Sequence, residues 1–461
     1  MSKQTAIGNE AIYDSRSLGA GRTGILGLQH MFAMFGSTVL VPLLTGLPVT
    51  TTLLFAGLGT LLFHFITGRK VPAFLGSSFA FLAGYFALAP NGEPDRLPYA
   101  CFGVACAGLV YLLLALLFKI FGASKVMKYF PPVVTGPIII AIGINLAPSA
   151  INSCSTNWPI ALVAILVIII CNIWGRGMIK IIPILMGVIA SYLVAAVSGV
   201  IDFTPVKEAA WVGLPVIWER TVFGLFGSGS VDSALLLTAV ITILPISFAT
   251  MMEHIGDISA ISSTVGQNFI KDPGLHRTLT GDGLATTVAS LFGAPANTTY
   301  GENTGVLTLT KVYDPFVIRL AAVFAIVLSF CPKFAAVIEV MPSATVGGIS
   351  LVLYGMISAV GVRNIVETNV DFTKSRNVII AALILVLAIG INYSAAGAIS
   401  FPIGSMNVSL SGLAVGSLVG ILLNAVLPGK DFSFVEGEAN KTGVDFEMAQ
   451  GESLAKKNKK K

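Results

Sequence analysis

Fourteen stretches of mostly apolar residues, each near the ~20 residues that a helix needs to cross a bilayer, take up most of this sequence. They lie near 24–46, 49–67, 72–89, 99–121, 130–149, 158–174 and 178–200, then near 232–260, 278–293, 297–313, 317–341, 344–361, 376–394 and 407–427. Their spacing leaves little room for anything but an all-α polytopic membrane protein of seven plus seven segments. Composition excludes the alternative. Of 461 residues, 55% are hydrophobic and 11% charged, against about 25% charged in a soluble domain. Residues 429–461 alone hold 7 Lys and 6 acids, so the apolar part is poorer still in the charge needed to coat a surface in water.

Charge placement tests the count. With the N-terminus in the cytoplasm and fourteen spans threaded, 24 of the 28 Lys and Arg fall inside. Only Arg96, Lys207, Arg220 and Lys333 fall outside, as the positive-inside rule requires. Both ends are then cytoplasmic, with a polar tail at 1–23, a membrane unit at 24–428 and a basic, disordered tail at 429–461. The net charge of +5 is no nucleic-acid signal, because the excess sits in Lys456, Lys457, Lys459, Lys460 and Lys461. Polar residues 1–22 form no cleavable signal peptide, so insertion falls to the first span. The loop Ile201–Asp232, with Trp211 and Trp218, reads as an outward segment at headgroup depth. Asn364–Lys374 reads as a short cytoplasmic helix or loop.

Two segments break the pattern at matching positions of the halves. Segment 3 contains Val71-Pro-Ala-Phe-Leu-Gly-Ser-Ser-Phe79, and segment 10 contains Gly293-Ala-Pro-Ala-Asn-Thr-Thr-Tyr-Gly-Glu-Asn-Thr-Gly305. Pro removes a backbone donor, and Gly, Ser, Thr and Asn favour turns or extended chain. Short extended stretches at membrane depth are tolerated only where protein or a polar cavity satisfies their backbone. A matched pair points to inverted repeats whose broken elements meet at a midplane site.

The ionisable residues converge on the same region. Glu253 and Asp257, in Met252-Glu-His-Ile-Gly-Asp257, are spaced i, i+4 and share one helix face, while His254 points elsewhere. Asp282 opens segment 9, and Glu302 follows the break in segment 10. A carboxylate at the bilayer centre costs about 2.5–3.5 kcal/mol, and no Lys or Arg neighbours these positions in the sequence. They therefore need a watery cavity, a proton, or a ligand that supplies donors. Ionised carboxylates only accept hydrogen bonds, so a ligand matched to two of them is neutral and carries N–H groups. A proton shared among such acids would supply the coupling ion without a metal. His30 and His64, in apolar spans, read first as helix-bundling hydrogen bonders, and Lys333 and Glu339 as residues that snorkel to an outward end.

Other chemistry is excluded. Gly19-x-Gly21-x-x-Gly24 lacks the preceding strand of a dinucleotide site. There is no Walker A, HExxH or GxSxG sequence and no CxxC pair among the five cysteines. Nothing supplies a catalytic residue, a metal site or a cofactor, so an enzyme is not expected.

At Gln29-His-Met-Phe-Ala-Met-Phe-Gly36, Leu75-Gly-Ser-Ser-Phe-Ala-Phe81, Glu253-His-Ile-Gly256, Asp272-Pro-Gly-Leu-His-Arg277 and Glu302-Asn303-x-Gly305 to Thr310, the chain resembles the nucleobase–ascorbate transporter family, most closely its uracil-transporting branch. The likeness spans about residues 22–428. It implies two intertwined inverted repeats, with a core domain from segments 1–4 and 8–11 and a gate domain from 5–7 and 12–14. It implies that Glu253 and Glu302 hold a pyrimidine ring, that backbone at Phe79 and Gly301 binds it further, and that Tyr300 lines the site. Glu253, Asp257 and Asp282 would then handle the coupling proton, with His30 and Asn303 in support. The resemblance further implies uracil–proton symport across the cytoplasmic membrane by an elevator-like motion, and dimers through the gate.

Two residues depart from that branch. Asp257 stands where uracil carriers often place His, and Asp282 resembles a purine-branch aspartate, so a xanthine or guanine symporter on the same scaffold stays open. Glu302 rather than Gln favours the pyrimidine. An anion transporter or channel of the same architecture would show Arg, Lys or bare helix N-termini at the site instead.

Overall fold

A computed structural model of the chain describes residue 7, residues 10–227, 231–403 and 406–430, and residue 432. The tail expected at 429–461 lies outside the described residues except for 429, 430 and 432. Among the described residues, seven helices are long and apolar enough to cross a membrane, or eight if one bent pair counts as a span. Many of their outer faces carry apolar side chains, such as Phe65, Leu113 and Val386, at 75%, 58% and 64% exposure. Water would penalise such surfaces, whereas hydrocarbon does not. The protein is a multi-pass membrane protein.

Local chemistry sets the helix ends. Asn157, Asp232, Asp314 and Ser411 cap the first turns that follow them, each side chain accepting a backbone N–H. Pro98, Pro132, Pro159, Pro183, Pro315 and Pro332 stand in first turns, where the missing donor costs nothing.

The helices fall into two packed groups. Ala20–Thr45, Val49–Ile66, Leu97–Phe121, Ser233–Ile243, Leu275–Leu291 and Pro315–Ser329 pack mainly on one another. Pro132–Ser155, Trp158–Trp174, Pro183–Val197, Ser343–Glu367, Ser375–Asn392 and Gly412–Val426 form the other group. Ile246–Val265 lies beside the first group and carries both Glu253 and Asp257.

Several boundaries differ from the sequence reading. The run near 317–341 is two helices, Pro315–Ser329 and Pro332–Glu339, bent by 87°. Cys331 precedes a proline, which steers it out of helical backbone; its φ is −111° and ψ 88°. The run near 178–200 breaks at Ile182, again before a proline. The helix expected at 344–361 continues to Glu367, taking in part of the segment expected as a separate cytoplasmic element. The hydropathy of the last run predicts a helix from 407. Instead Ala398–Ile403 and Met406–Ser411 pair as an antiparallel hairpin, and the helix begins at Gly412. Hydropathy cannot distinguish a short apolar strand from a helix turn, and Pro402 at the first strand opposes helix there. An all-α reading therefore misses this hairpin.

A second two-stranded sheet lies deep among the helices. Leu75–Ser77 pairs antiparallel with Asn297–Thr299, in the register Leu75 to Thr299 and Ser77 to Asn297. The helices Leu82–Leu88 and Gly301–Thr310 follow the two strands.

Candidate functional site

All six residues of the inner sheet are buried, so each of their backbone groups needs a partner. Backbone bonds extend the pairing at both ends: Ser78 N–H donates to the Ala296 carbonyl at 2.8 Å, and Tyr300 N–H to that of Phe74 at 3.0 Å. Side chains of the flanking helices cover the outer edges. Thr60 Oγ1 accepts from Leu75 N–H at 2.9 Å, and Thr286 Oγ1 donates to the Asn297 carbonyl at 2.7 Å. Asn297 Nδ2 in turn donates to the Phe55 carbonyl at 2.9 Å. Hydroxyl and amide residues within apolar helices thus do what water does for an exposed strand.

Close packing demands glycine at this crossing. A Cβ on Gly76 would lie 2.5 Å from the Tyr300 ring and 2.7 Å from Thr38 Oγ1. The Tyr300 ring lies against this glycine. Its hydroxyl donates to the Ser77 carbonyl at 2.9 Å and accepts from Thr38 Oγ1 at 3.3 Å. Tyr300 is buried, whereas Phe79 and Gly301 are half-buried, just past the two strands.

Glu302 sits in the first turn of Gly301–Thr310, where the helix dipole favours a negative charge. Ser37 Oγ donates to its Oε1 at 2.6 Å. Glu253 is exposed despite its place in an apolar helix, and it lies within electrostatic reach of Glu302 and Asp282. Among the described residues neither glutamate belongs to an ion pair. Asp257 is buried one turn on, where Thr299 Oγ1 donates to its Oδ2 at 2.9 Å. Asp282, wholly buried, has its Oδ2 3.1 Å from Nδ1 of His254.

The supporting pair is also in contact. Asn303 Nδ2 donates to the His30 carbonyl at 3.0 Å and lies 3.2 Å from His30 Nδ1. This joins the helix Ala20–Thr45 to Gly301–Thr310 beside Glu302. Cutting this link in Asn303→Ala leaves the buried His30 groups without that donor, at a cost of about 1–3 kcal/mol. The expected result is a Tm lowered by several degrees in purified protein, with the shift produced by a bound ligand retained. His64 instead contacts the Ala73 carbonyl through Nε2 at 2.9 Å, away from the acids. Lys333 donates to the Lys207 carbonyl at 3.3 Å and lies over the Trp211 ring, also remote from them.

A cavity of about 410 Å³ reaches Glu302 from one side of the protein. Phe32 and Gly36 line it from the first helix group, Glu302 from the helix Gly301–Thr310, and Pro183, Leu185 and Met356 from the second group. Arg176, Lys180 and Lys311 also border it, all three among the cations that the charge rule places inside.

Three side chains that contact these acids escaped the sequence reading. Ser37 follows His30 by seven residues, two helical turns along the same face, and that spacing was available as a signal. Thr299 gave no sign of which acid it would meet. Helical spacing turns His254 off the face shared by Glu253 and Asp257, and it does leave that face. Its partner is Asp282, on another helix, and no spacing in one chain segment encodes that.

Comparison with known proteins adds independent observations. Residues 21–397 match a family described as the permease family. The uracil permease of Bacillus subtilis (strain 168) is 40% identical over 414 residues, covering 87% of this chain and 91% of the relative. The uracil permease of Escherichia coli (strain K12) is 37% identical over 415 residues, covering 87% and 90%. Among solved structures, that of SLC26A9 aligns over 90% of this chain and 66% of its own, with a TM-score of 0.62 at 13% identity. This last likeness is one of fold alone.

Proposed function

We propose that this chain, which belongs to the permease family of nucleobase–ascorbate transporters, imports uracil together with a proton across the cytoplasmic membrane by alternating access. The family and the relatives make it a permease rather than an enzyme. The observation that carries the substrate is the pair of glutamates, Glu253 and Glu302, which interact electrostatically and among the described residues belong to no ion pair. Two acceptor-only groups in one place fit a small neutral ring with two N–H donors. They oppose an anion, because like charge would repel it.

In this reading Glu253 and Glu302 accept the ring N–H groups, and backbone at Phe79 and Gly301 meets the ring carbonyls. Tyr300 packs the floor of the site. Asp257 and Asp282 pass or tune the coupling proton, and His30 and Asn303 hold the Glu302 helix in place. The chain threads fourteen times as two inverted repeats, with both ends cytoplasmic. The group containing Ala20–Thr45 is the moving core. The group containing Pro132–Ser155 is the gate, which also serves as the surface for a homodimer. The cavity bordered by Arg176, Lys180 and Lys311 then opens inward, so the fold is described in its inward-facing state.

A substrate panel tests this directly. A ligand that binds the folded state raises Tm by mass action, and uracil at 100 times its Kd adds about 2.7 kcal/mol of apparent stability. Uracil is expected to raise Tm and to compete with labelled uracil for uptake. Bicarbonate and sulfate are expected to do neither. Xanthine outcompeting uracil would transfer the site to the purine branch, which the aspartates at 257 and 282 resemble.

A further inference from the structure

Beyond the two glutamates, the structure links four polar side chains from three elements in a row that ends inside the protein. Thr299 Oγ1, on the inner sheet, donates to Asp257 Oδ2 at 2.9 Å. The same hydroxyl is 3.4 Å from His254 Nδ1. His254 Nδ1 is 3.1 Å from Asp282 Oδ2, on the helix Leu275–Leu291, and both side chains have no accessible surface. Past this pair the row stops. His254 Nε2 and both carboxyl oxygens of Asp282 have no hydrogen-bond partner, so the 3.1 Å approach of Nδ1 to Oδ2 is a close contact off hydrogen-bond geometry. The Phe63 ring centroid lies 6.2 Å from that of the imidazole, in an edge-on arrangement.

Around His254, Glu253 and Asp257 come from its own helix, Asp282 from Leu275–Leu291 and Thr299 from the inner sheet. Tyr111, from Leu97–Phe121, bonds Thr250 and interacts electrostatically with Asp282 and Glu253. None of these neighbours is a cation.

Hydrogen-bond inventory gives the row a direction. A hydroxyl has one hydrogen to donate, and a ring nitrogen that carries hydrogen cannot accept one. A carboxyl oxygen 3.1 Å from Nδ1 favours the tautomer that carries its hydrogen there, and in that tautomer the Thr299 hydrogen has one acceptor left, the carboxyl of Asp257. We infer that His254 is a positioning residue for coupling: paired with Asp282, it orients the Thr299 hydroxyl onto Asp257 and so presents Asp257, rather than a closed-off acid, to Glu253 for proton exchange. Thr299 lies three residues before Glu302, so the same bond ties the coupling acid to the strand that leads into the substrate site. A shift of that strand on substrate binding is felt at Asp257.

The inference rests on the proton-symport reading, and the test separates the two. Wild-type protein, His254→Leu, His254→Asn and Thr299→Val are reconstituted in liposomes. Each is assayed for uracil accumulation driven by an inward proton gradient across a range of pH, for uracil counterflow without a gradient, and for the Tm rise with uracil. Leu removes the ring donor at similar bulk, whereas Asn keeps an N–H near the position of Nδ1. The expected result is a loss of gradient-driven accumulation of about tenfold or more in His254→Leu and Thr299→Val, the scale of one hydrogen bond to a charged group. Their pH profiles flatten, while counterflow and the uracil-induced Tm rise stay within about threefold of wild type. His254→Asn is expected to recover accumulation.

Accumulation and pH profile unchanged in His254→Leu would overturn the inference. So would equal loss of counterflow and accumulation, which marks a merely structural role. Failure of His254→Asn to recover, with binding intact, would make His254 itself the proton carrier and overturn its positioning role. A wild-type protein that ignores the gradient overturns the symport reading, and the inference falls with it.

Discussion

Glu302→Gln is expected to weaken uracil binding by about 10- to 100-fold, the equivalent of about 1.5–3 kcal/mol for a hydrogen bond to a charged group. The geometry explains why so small a change weighs so much. Ser37 Oγ already donates to Oε1 at 2.6 Å, which leaves Oε2 for the ligand. In glutamine the remaining carbonyl oxygen keeps the Ser37 bond, and the amide NH2 takes the place of Oε2. A ring N–H then faces a donor instead of an acceptor. The loss is in charge assistance and in direction together. Ligands with a carbonyl at that edge are expected to gain relative to uracil, because a donor now meets them. Competition of labelled uracil uptake by a set of unlabelled nucleobases measures both effects. Unchanged uracil affinity with an unchanged order of competitors would remove Glu302 from the site.

Gly76→Val is expected to cut transport by about 100-fold or more without preventing membrane insertion. The first added carbon would stand 2.5 Å from the Tyr300 ring and 2.7 Å from Thr38 Oγ1, where no side chain fits. Tyr300 must leave, or the strands must part. Parting exposes backbone groups of Leu75–Ser77 and Asn297–Thr299 that have no water to turn to, and each unsatisfied group costs several kcal/mol. It also displaces Gly301 and Glu302, which begin the helix after the second strand. A smaller residue at the aromatic position gives the internal check. Tyr300→Ala in the Gly76→Val background is expected to recover part of the fold, seen as a higher Tm than the single variant. Uptake by cells expressing each protein at matched membrane levels reads the functional loss. Full transport by Gly76→Val would mean that the strand crossing is no part of the pathway.

The site was legible from sequence to different depths. Glu253 and Glu302 stand out because an ionisable group in an apolar run is costly and so must be explained. The small and hydroxyl residues at 75–78 and 297–299 stand out because they cannot sustain a helix beside Pro72 and Pro295. Helix ends were legible where a capping residue or proline marked them, as at Asn157 and Trp158-Pro159. They were not legible at 398–411, because an apolar hairpin and an apolar helix turn have the same hydropathy. The bend at Cys331 has a proline to announce it, yet the apolar run from 317 to 341 reads as one span. Length alone suited a single crossing there.

The sequence by itself determined that this protein lives in a membrane, because burial of so many apolar residues with so few charges has no other solvent. It also determined that acids and broken backbone would need polar company, since hydrocarbon offers none. Only the tertiary structure decided which company each would find: Ser37 for Glu302, Thr299 for Asp257, His254 for Asp282, and one strand for the other. The reason is physical. The cost of an unpaired polar group is a property of the residue and its immediate surroundings, so it can be read locally. The partner that cancels the cost is set by how distant segments pack, and hydrogen bonds act only over a few ångströms, so no local pattern carries that information.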